Sequence, residues 1–177
     1  MEKSILLLGN PELYQVCGEV TREELPWMEE VKEDLKDTLL AFRKRYGVGR
    51  AIAAPQIGVK KRVIYRHLDT PVLFINPRLE FPDEEEMDVM DDCMSFPDLL
   101  VRVRRHKRCV IHYRDGQWKE CSLALEGDMA ELIQHEYDHL DGILATMRAI
   151  DDRAFLMKEH ESSIRDALGK CPFRINL

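Results

Sequence analysis

The residues best suited to chemistry in this 177-residue chain lie in the segment His135-Glu136-Tyr137-Asp138-His139. Two histidines four positions apart share one face of a helix, so both imidazoles can reach one cation. Imidazole is a ligand for zinc, iron and nickel. Glu136, beside the first histidine, can reach a water at that cation and serve as general base and then general acid. The pattern predicts a hydrolytic metal centre; the competing interpretation is a chance match that leaves two histidines in a helix core.

Two histidines leave a third protein ligand to be identified. The metzincin pattern fails because its third histidine position is Ala145. Two candidates remain open from the residues alone. Glu159 follows the motif at the spacing of thermolysin-like enzymes, and Cys93 lies upstream between strand-like segments. A thiolate at Cys93 would be a good soft ligand, which a bound metal would hold deprotonated.

Three helices are predicted around this motif. Apolar residues recur at intervals of three and four from Pro26 to Tyr46, in a stripe that includes Trp27, and Gly47 stands at the capping position. A second helix, about Asp128 to Leu140, carries the histidines and ends at Asp141-Gly142. A third helix is predicted from about Asp151 to Leu168.

The middle of the chain is predicted to form strands, because β-branched and aromatic residues are frequent there. The predicted strands are Arg62–Tyr65, Val72–Ile75, Leu99–Val103, Cys109–Tyr113 and Trp118–Leu125. Asp115-Gly116 between the last two predicts a hairpin, and residues 1–24 are predicted to be an irregular arm. The order predicts an α+β fold, with antiparallel β-strands wrapped around a central HExxH helix, an N-terminal helix and a C-terminal helix. One domain over residues 1–177 is expected.

Composition narrows the function classes. With 45% hydrophobic and 33% charged residues, the chain can form a sizeable core. A net charge of -7 argues against direct nucleic-acid binding, and the run Asp83–Glu86 predicts a solvated turn. No apolar run is long enough to predict a membrane span. Five cysteines, an odd number without a CxxC pair, argue against a disulfide framework, so a cytoplasmic location is expected.

Three segments together resemble the peptide deformylase family. They are Gly49-Arg50-Ala51-Ile52-Ala53-Ala54-Pro55-Gln56 against GxGxAAxQ, Asp91-Asp92-Cys93-Met94-Ser95 against EGCLS, and Gln134-His135-Glu136-Tyr137-Asp138-His139 against QHExDH. Their order and spacing agree with the family, and the resemblance covers nearly the whole chain. It implies that Cys93, rather than Glu159, completes the metal site with His135 and His139.

The resemblance implies hydrolysis of the formyl group from N-formylmethionyl peptides, with release of formate. Glu136 would take the proton of the attacking water and later protonate the leaving amine. The side-chain amide of Gln56 and the backbone N–H of Met94 would donate to the developing oxyanion. The family's usual metal is Fe(II), with zinc and nickel as substitutes. For the tail, residues 171–177, we expect packing against the body, with ribosome contact as the alternative.

The sequence departs from the family pattern in four respects, and they concern substrate fit rather than chemistry. Arg50 replaces an aliphatic residue, Ala51 replaces a glycine, Asp91-Asp92 replaces Glu-Gly, and Leu100 stands where an arginine is frequent. With Gly49, the residues Arg50 and Ala51 are the expected substrate contacts. Two further hypotheses therefore stay open: a different N-formyl or N-acyl substrate, or a catalytically silent homologue that keeps its metal.

Overall fold

The computed structural model describes residues 1–158 of the chain. Within that range the chain forms two α-helices and eight β-strands, each type numbered in chain order. The helices are α1 (Leu25–Tyr46) and α2 (Asp128–Leu140); the strands are β1 (Ala51–Ala53), β2 (Val63–Arg66), β3 (Val72–Glu80), β4 (Glu86–Cys93), β5 (Phe96–His106), β6 (Arg108–Arg114), β7 (Glu120–Glu126) and β8 (Phe155–Met157). Neither helix is long and apolar enough to cross a membrane.

The strands form two antiparallel sheets. One has five strands in the order β1-β2-β3-β6-β7, and the other has three in the order β4-β5-β8. Helix α2 packs against strands of both sheets, including β1, β7 and β5. The predicted α+β class, with antiparallel strands around the HExxH helix, is confirmed.

Helix α1 covers one face of the five-stranded sheet. Pro26 occupies its first turn, where a missing N–H costs no hydrogen bond. Gly47 ends it in the left-handed conformation with φ 76°, and its N–H donates to the carbonyl of Arg43. The buried stripe runs through Met28, Val31, Leu35 and Leu39, with Thr38 beside them. The predicted stripe was wrong at both ends, because Trp27 and Tyr46 are exposed.

The N-terminal arm, residues 1–24, packs against the C-terminal end of α2. It contains two short 3₁₀ turns, Pro11–Tyr14 and Arg22–Glu24. The N–H of Cys17 donates to the carbonyl of Leu140 at 2.8 Å. Gly142 follows with φ 70°, and a Cβ there would lie 2.6 Å from the Tyr14 carbonyl group. The arm and the helix therefore meet so closely that only glycine fits at position 142.

Three predictions about secondary structure need correction. The strand predicted from Trp118 begins at Glu120, because Trp118 lies in the hairpin turn with φ 65°. The helix predicted from Asp151 is wrong over its first part, where Phe155–Met157 form β8 and pair with β5. The remainder of that helix, Glu159 and the tail lie outside the described residues. Strands β1 and β4 were not predicted.

Candidate metal centre

Three buried side chains from two distant segments converge at one point. They are Cys93 at the end of β4, and His135 and His139 on α2. Their ligand atoms lie within 4.8 Å of one another. The Sγ atom of Cys93 lies 3.3 Å from Nε2 of His139, which lies 3.2 Å from Nε2 of His135.

These distances fit a single metal ion. Metal bonds of about 2.0 to 2.3 Å in tetrahedral geometry separate neighbouring ligand atoms by about 3.3 to 3.6 Å. The observed separations of 3.3 and 3.2 Å lie close to that range. One thiolate and two imidazoles form a donor set suited to zinc, iron or nickel rather than to magnesium or calcium. Three protein ligands also leave a coordination position for substrate or water.

Strand β4 positions Cys93 through its alternation of faces. Val89, Asp91 and Cys93 are buried, whereas the residues between them are only partly so. Met94 and Ser95 then form the two-residue turn to Phe96 of β5. The N–H of Ser95 points back to Sγ of Cys93 at 3.4 Å. The thiol is thus held at a tight turn, beside a backbone N–H.

Gln56 faces the same sulfur from another element. It lies in the 3₁₀ turn Ala54–Ile57 directly after β1. Its Oε1 accepts from the N–H of Ala53 at 2.9 Å, which fixes the orientation of the amide. Its Nε2 therefore points inward and donates to Sγ of Cys93 at 3.4 Å and to Oγ of Ser95 at 3.2 Å. Gln56 is buried, so this donor is held in place without competition from solvent.

Glu136 follows His135 directly in the sequence. Its side chain is buried and lines the cavity at the centre. Its Oε2 has no hydrogen-bond partner among residues 1–158. Burial raises its pKa to about 7, against the opposing effect of the positive charges of His135 and Arg50. A carboxylate whose pKa lies near neutrality can both accept and release a proton during turnover.

A chain of charged residues, buried except at Arg148, lies behind the candidate ligands. Asp91 Oδ1 lies 2.7 Å from Nδ1 of His135, and Asp91 Oδ2 accepts from Arg105 at 2.7 Å. Arg105 also donates to Asp138, which in turn accepts two bonds from Arg148, both at 2.6 Å. Burial raises the pKa of Asp91, but the charges of His135 and Arg105 outweigh it and hold the pKa well below its usual value.

The centre opens into a cavity of about 50 Å³. Gly49, Arg50 and Ala51, the predicted substrate contacts, line it together with Gln56 and Met94. Gly49 has φ 126°, a conformation in which an L side chain would be strained. Ala51 is the first residue of β1 and is buried.

Sequence reasoning missed a further residue of this cavity, Glu131. It lies one helical turn before His135 on α2, and its Oε2 lies 3.4 Å from Nη2 of Arg50. Burial raises the pKa of Glu131 to about 7, and the charge of Asp91 adds to the rise. The sequence did contain a signal for Glu131. It lies four positions before His135, and residues four apart are neighbours on a helix.

The arginines after Leu100 do not enter the cavity. Leu100 is completely buried in β5. Arg102 pairs with Asp151, Arg104 lies on the exposed face, and Arg105 belongs to the buried charge chain. None of the three lines the cavity within the part of the chain that the structure describes.

Taken by geometry alone, the centre can hydrolyse a carbonyl compound. It offers three ligands for a Lewis acid, a buried carboxylate for proton transfer, and a fixed amide donor for a developing oxyanion. Of these groups, Cys93, His135, Glu136 and Gln56 line one small cavity.

Comparison with known proteins gives consistent matches. The polypeptide deformylase family matches residues 2–154. A peptide deformylase of Treponema pallidum is 36% identical over 147 residues, which cover 82% of this chain and 86% of that protein. A peptide deformylase of Pseudothermotoga lettingae is 33% identical over 159 residues, or 90% of each chain.

Solved structures agree with the sequence matches. The crystal structure of peptide deformylase from Thermotoga maritima is similar with a TM-score of 0.78 and 29% identity, over 85% of this chain and 99% of that one. The actinonin-bound peptide deformylase from Acinetobacter baumannii is similar with a TM-score of 0.76 and 28% identity, over 84% and 98% of the two chains.

Proposed function

This chain belongs to the polypeptide deformylase family, and from that premise we propose that it is a metal-dependent amide hydrolase centred on Cys93, His135 and His139. Membership of this family supports the assignment of the reaction, which is removal of the N-formyl group from nascent peptides with release of formate. The proposal concerns how these particular residues perform it.

The observation that carries the proposal is the convergence of the three ligand atoms within 4.8 Å, with the unpaired carboxylate oxygen of Glu136 in the same cavity. Cys93 is separated from His139 by 46 positions, so helix periodicity alone cannot bring them together. A purely structural metal site would need neither the buried Glu136 nor the oriented amide of Gln56. Both groups therefore support a catalytic centre.

The metal that we propose is one divalent ion, Fe(II) first, with zinc or nickel as substitutes. The thiolate and imidazole donors suit all three, and the family is metal-dependent. When bound, the ion would supply Lewis acidity, which makes water a stronger nucleophile near neutral pH.

The protein residues would divide the remaining work. Glu136 would accept a proton from the attacking water and later deliver it to the leaving amine. The Nε2 amide of Gln56 and the backbone N–H of Met94 would donate to the oxygen on which negative charge develops. Gly49, Arg50 and Ala51 would contact the substrate, because they line the cavity beside these groups.

Further proposals concern the domain organisation, the location and the partners of the protein. We propose one domain over residues 1–177, supported by a family match that spans residues 2–154. A cytoplasmic location is supported by the free cysteines and by a substrate that arises during protein synthesis. Contact with the ribosome would bring the enzyme to its substrate, while direct nucleic-acid binding is disfavoured by the net charge of -7.

Formate release tests the proposal. Protein purified under anaerobic conditions is analysed for metal and then assayed with a formyl-methionyl tripeptide. We expect about one divalent ion per chain and catalytic turnover, both abolished in Cys93→Ala. Metal-replete protein without turnover would contradict the proposal. So would a Cys93→Ala variant that keeps its metal while Glu159→Ala loses it.

A further inference from the structure

An ion pair forms one wall of the cavity beside the metal centre. Arg50 precedes β1 and Glu131 lies in the first half of α2, and their side chains meet at 3.4 Å between Nη2 and Oε2. The side chain of Glu131 is 6% exposed and that of Arg50 is 24% exposed. The carboxylate is thus deep in the wall, and the guanidinium closes it from the solvent side.

We propose that the Arg50–Glu131 pair determines the specificity of this cavity. The pair allows the cavity to accept a polar side chain of methionine's length, such as that of glutamine, as well as the side chain of methionine. The inference rests on the proposed deformylase function and names the substrate class of the same site: N-formyl compounds with a polar, uncharged first side chain.

A wall of aliphatic side chains rejects a carboxamide, because the amide loses its hydrogen bonds to water and gains none. The Arg50–Glu131 pair removes that penalty. A carboxamide carries two N–H donors and one acceptor oxygen, which match the carboxylate of Glu131 and the guanidinium of Arg50. A thioether makes neither bond, so the pair gives methionine no comparable advantage.

The pair can open to receive such a group. Its separation of 3.4 Å is long for a hydrogen bond, so the hydrogen bond that is lost when a ligand atom inserts is a weak one. Arg50 is partly exposed and can shift toward solvent. The cavity volume of about 50 Å³ is small, so a substrate side chain of any chemistry must meet this wall.

Apart from Glu136, whose proposed role is proton transfer, the other charged residues of the cavity are already engaged. Asp91 pairs with Arg105, and Asp92 pairs with Lys158 at 3.0 Å. By contrast, within residues 1–158 the side chains of Arg50 and Glu131 pair only with each other. A substrate can therefore engage Arg50 and Glu131 by opening only the ion pair between them.

The test compares side chains on one peptide scaffold. Metal-loaded protein is assayed for kcat/KM on formyl tripeptides that begin with glycine, methionine, norleucine or glutamine. The wild type is compared with the double variant Arg50→Leu/Glu131→Leu, in which apolar side chains replace the pair, an exchange that folded proteins commonly tolerate. Glu33→Leu/Lys36→Leu is the matched control, since that pair lies exposed on α1. Calorimetry with the corresponding deformylated tripeptides measures binding without turnover.

We expect the wild type to process the glutamine peptide within roughly tenfold of the methionine peptide, and the double variant to widen this ratio to roughly a hundredfold. The dissociation constants should move in the same direction, while the control keeps the wild-type ratio. If the double variant does not fold, Arg50→Met at the partly exposed partner should shift the ratio the same way by a smaller factor.

Two results would overturn the inference: a wild type that already rejects glutamine by more than about a hundredfold, or pair variants that change both peptides equally. The glycine peptide separates this failure from a failure of the proposed function. If no peptide, including that one, releases formate, the deformylase assignment fails; if it is cleaved while the ratio stays fixed, only the specificity inference fails.

Discussion

The carboxylate of Asp91 lies 2.7 Å from Nδ1 of His135, while Nε2 of the same ring faces His139. This approach places the negative charge of Asp91 beside the ring nitrogen that does not face His139. A carboxylate behind a ligand histidine fixes the orientation of its ring and raises its basicity. Asp91, which stands where the family pattern has glutamate, is therefore expected to position the ligand rather than to contact substrate.

Asp91→Asn should weaken metal binding without removing a ligand. The amide keeps the shape of the side chain but loses the charge that supports His135, and loss of such a partner typically costs about 10- to 100-fold in affinity. Competition with a chelator of known affinity measures the change. Asp88→Asn is the control, because Asp88 lies three residues earlier on β4 and its side chain pairs with Arg104 at the exposed edge. Equal metal affinities for the two variants would contradict the assignment.

Arg105→Met should destabilise the fold. Arg105 is almost completely buried between Asp91 and Asp138, so its removal leaves two buried carboxylates with less compensation. Breaking a buried pair in this way costs about 3 to 5 kcal/mol of unfolding free energy. Urea unfolding measures it. Arg104→Met, one residue earlier on the opposite face of β5, should change the unfolding free energy by less than about 1 kcal/mol. Similar losses for the two variants would mean that burial of the network is not what stabilises the protein.

Glu136→Gln should abolish most turnover and leave the metal in place. The amide preserves size but cannot accept the proton of the attacking water, and loss of a general base costs about 10²- to 10⁴-fold in kcat. Formate release and elemental analysis of the same sample separate the two effects. Glu120→Gln at the exposed start of β7 provides the control. Turnover within a few-fold of wild type would exclude Glu136 as the proton carrier.

Local sequence patterns predicted α1, α2 and the β6–β7 hairpin, because each depends on residues close in sequence. Helix α2 has its motif spacing and a glycine stop within one segment. Strand β4 was missed because Asp and Glu, which are depleted in strands, make up half of Glu86–Cys93. The apolar residues Met87, Val89 and Cys93, which share one face of an extended strand, were the available signal.

The three candidate ligands could be named from the sequence, but their surroundings could not. His135 and His139 follow from a helix spacing, and Cys93 followed from resemblance to a family. The contacts of Arg105 with Asp91 and of Arg50 with Glu131 join segments that are 14 and 81 positions apart. No local pattern encodes such pairs, since the first forms only when β4 pairs with β5 and the second only when the segment before β1 packs against α2.

Gln56→Ala should lower kcat with little change in KM. The Nε2 donor of Gln56 is oriented by the bond from Ala53 to its Oε1, so it is preorganised for an oxyanion. Loss of one such donor costs about 10²- to 10³-fold in kcat. Steady-state kinetics with a formyl-methionyl peptide give both constants, and metal analysis shows whether the centre is intact. Gln117→Ala, in the exposed β6–β7 turn, should leave both constants unchanged. A rise in KM at constant kcat would indicate a role in substrate binding instead.

Alkaline pH should destabilise the protein through its buried thiols. Burial raises the pKa of Cys109 to about 11 from an ordinary value of 9.0. The folded protein therefore retains a proton that the unfolded chain releases, so this stabilisation is complete below pH 9 and is lost as pH rises toward 11. Urea unfolding at intervals from pH 8 to 11 should show a decline that is shallower in Cys109→Ala, although that variant is less stable at pH 8. Cys121→Ala, at a less buried thiol, should keep the wild-type slope. Parallel declines for wild type and Cys109→Ala would show that this thiol does not ionise on unfolding.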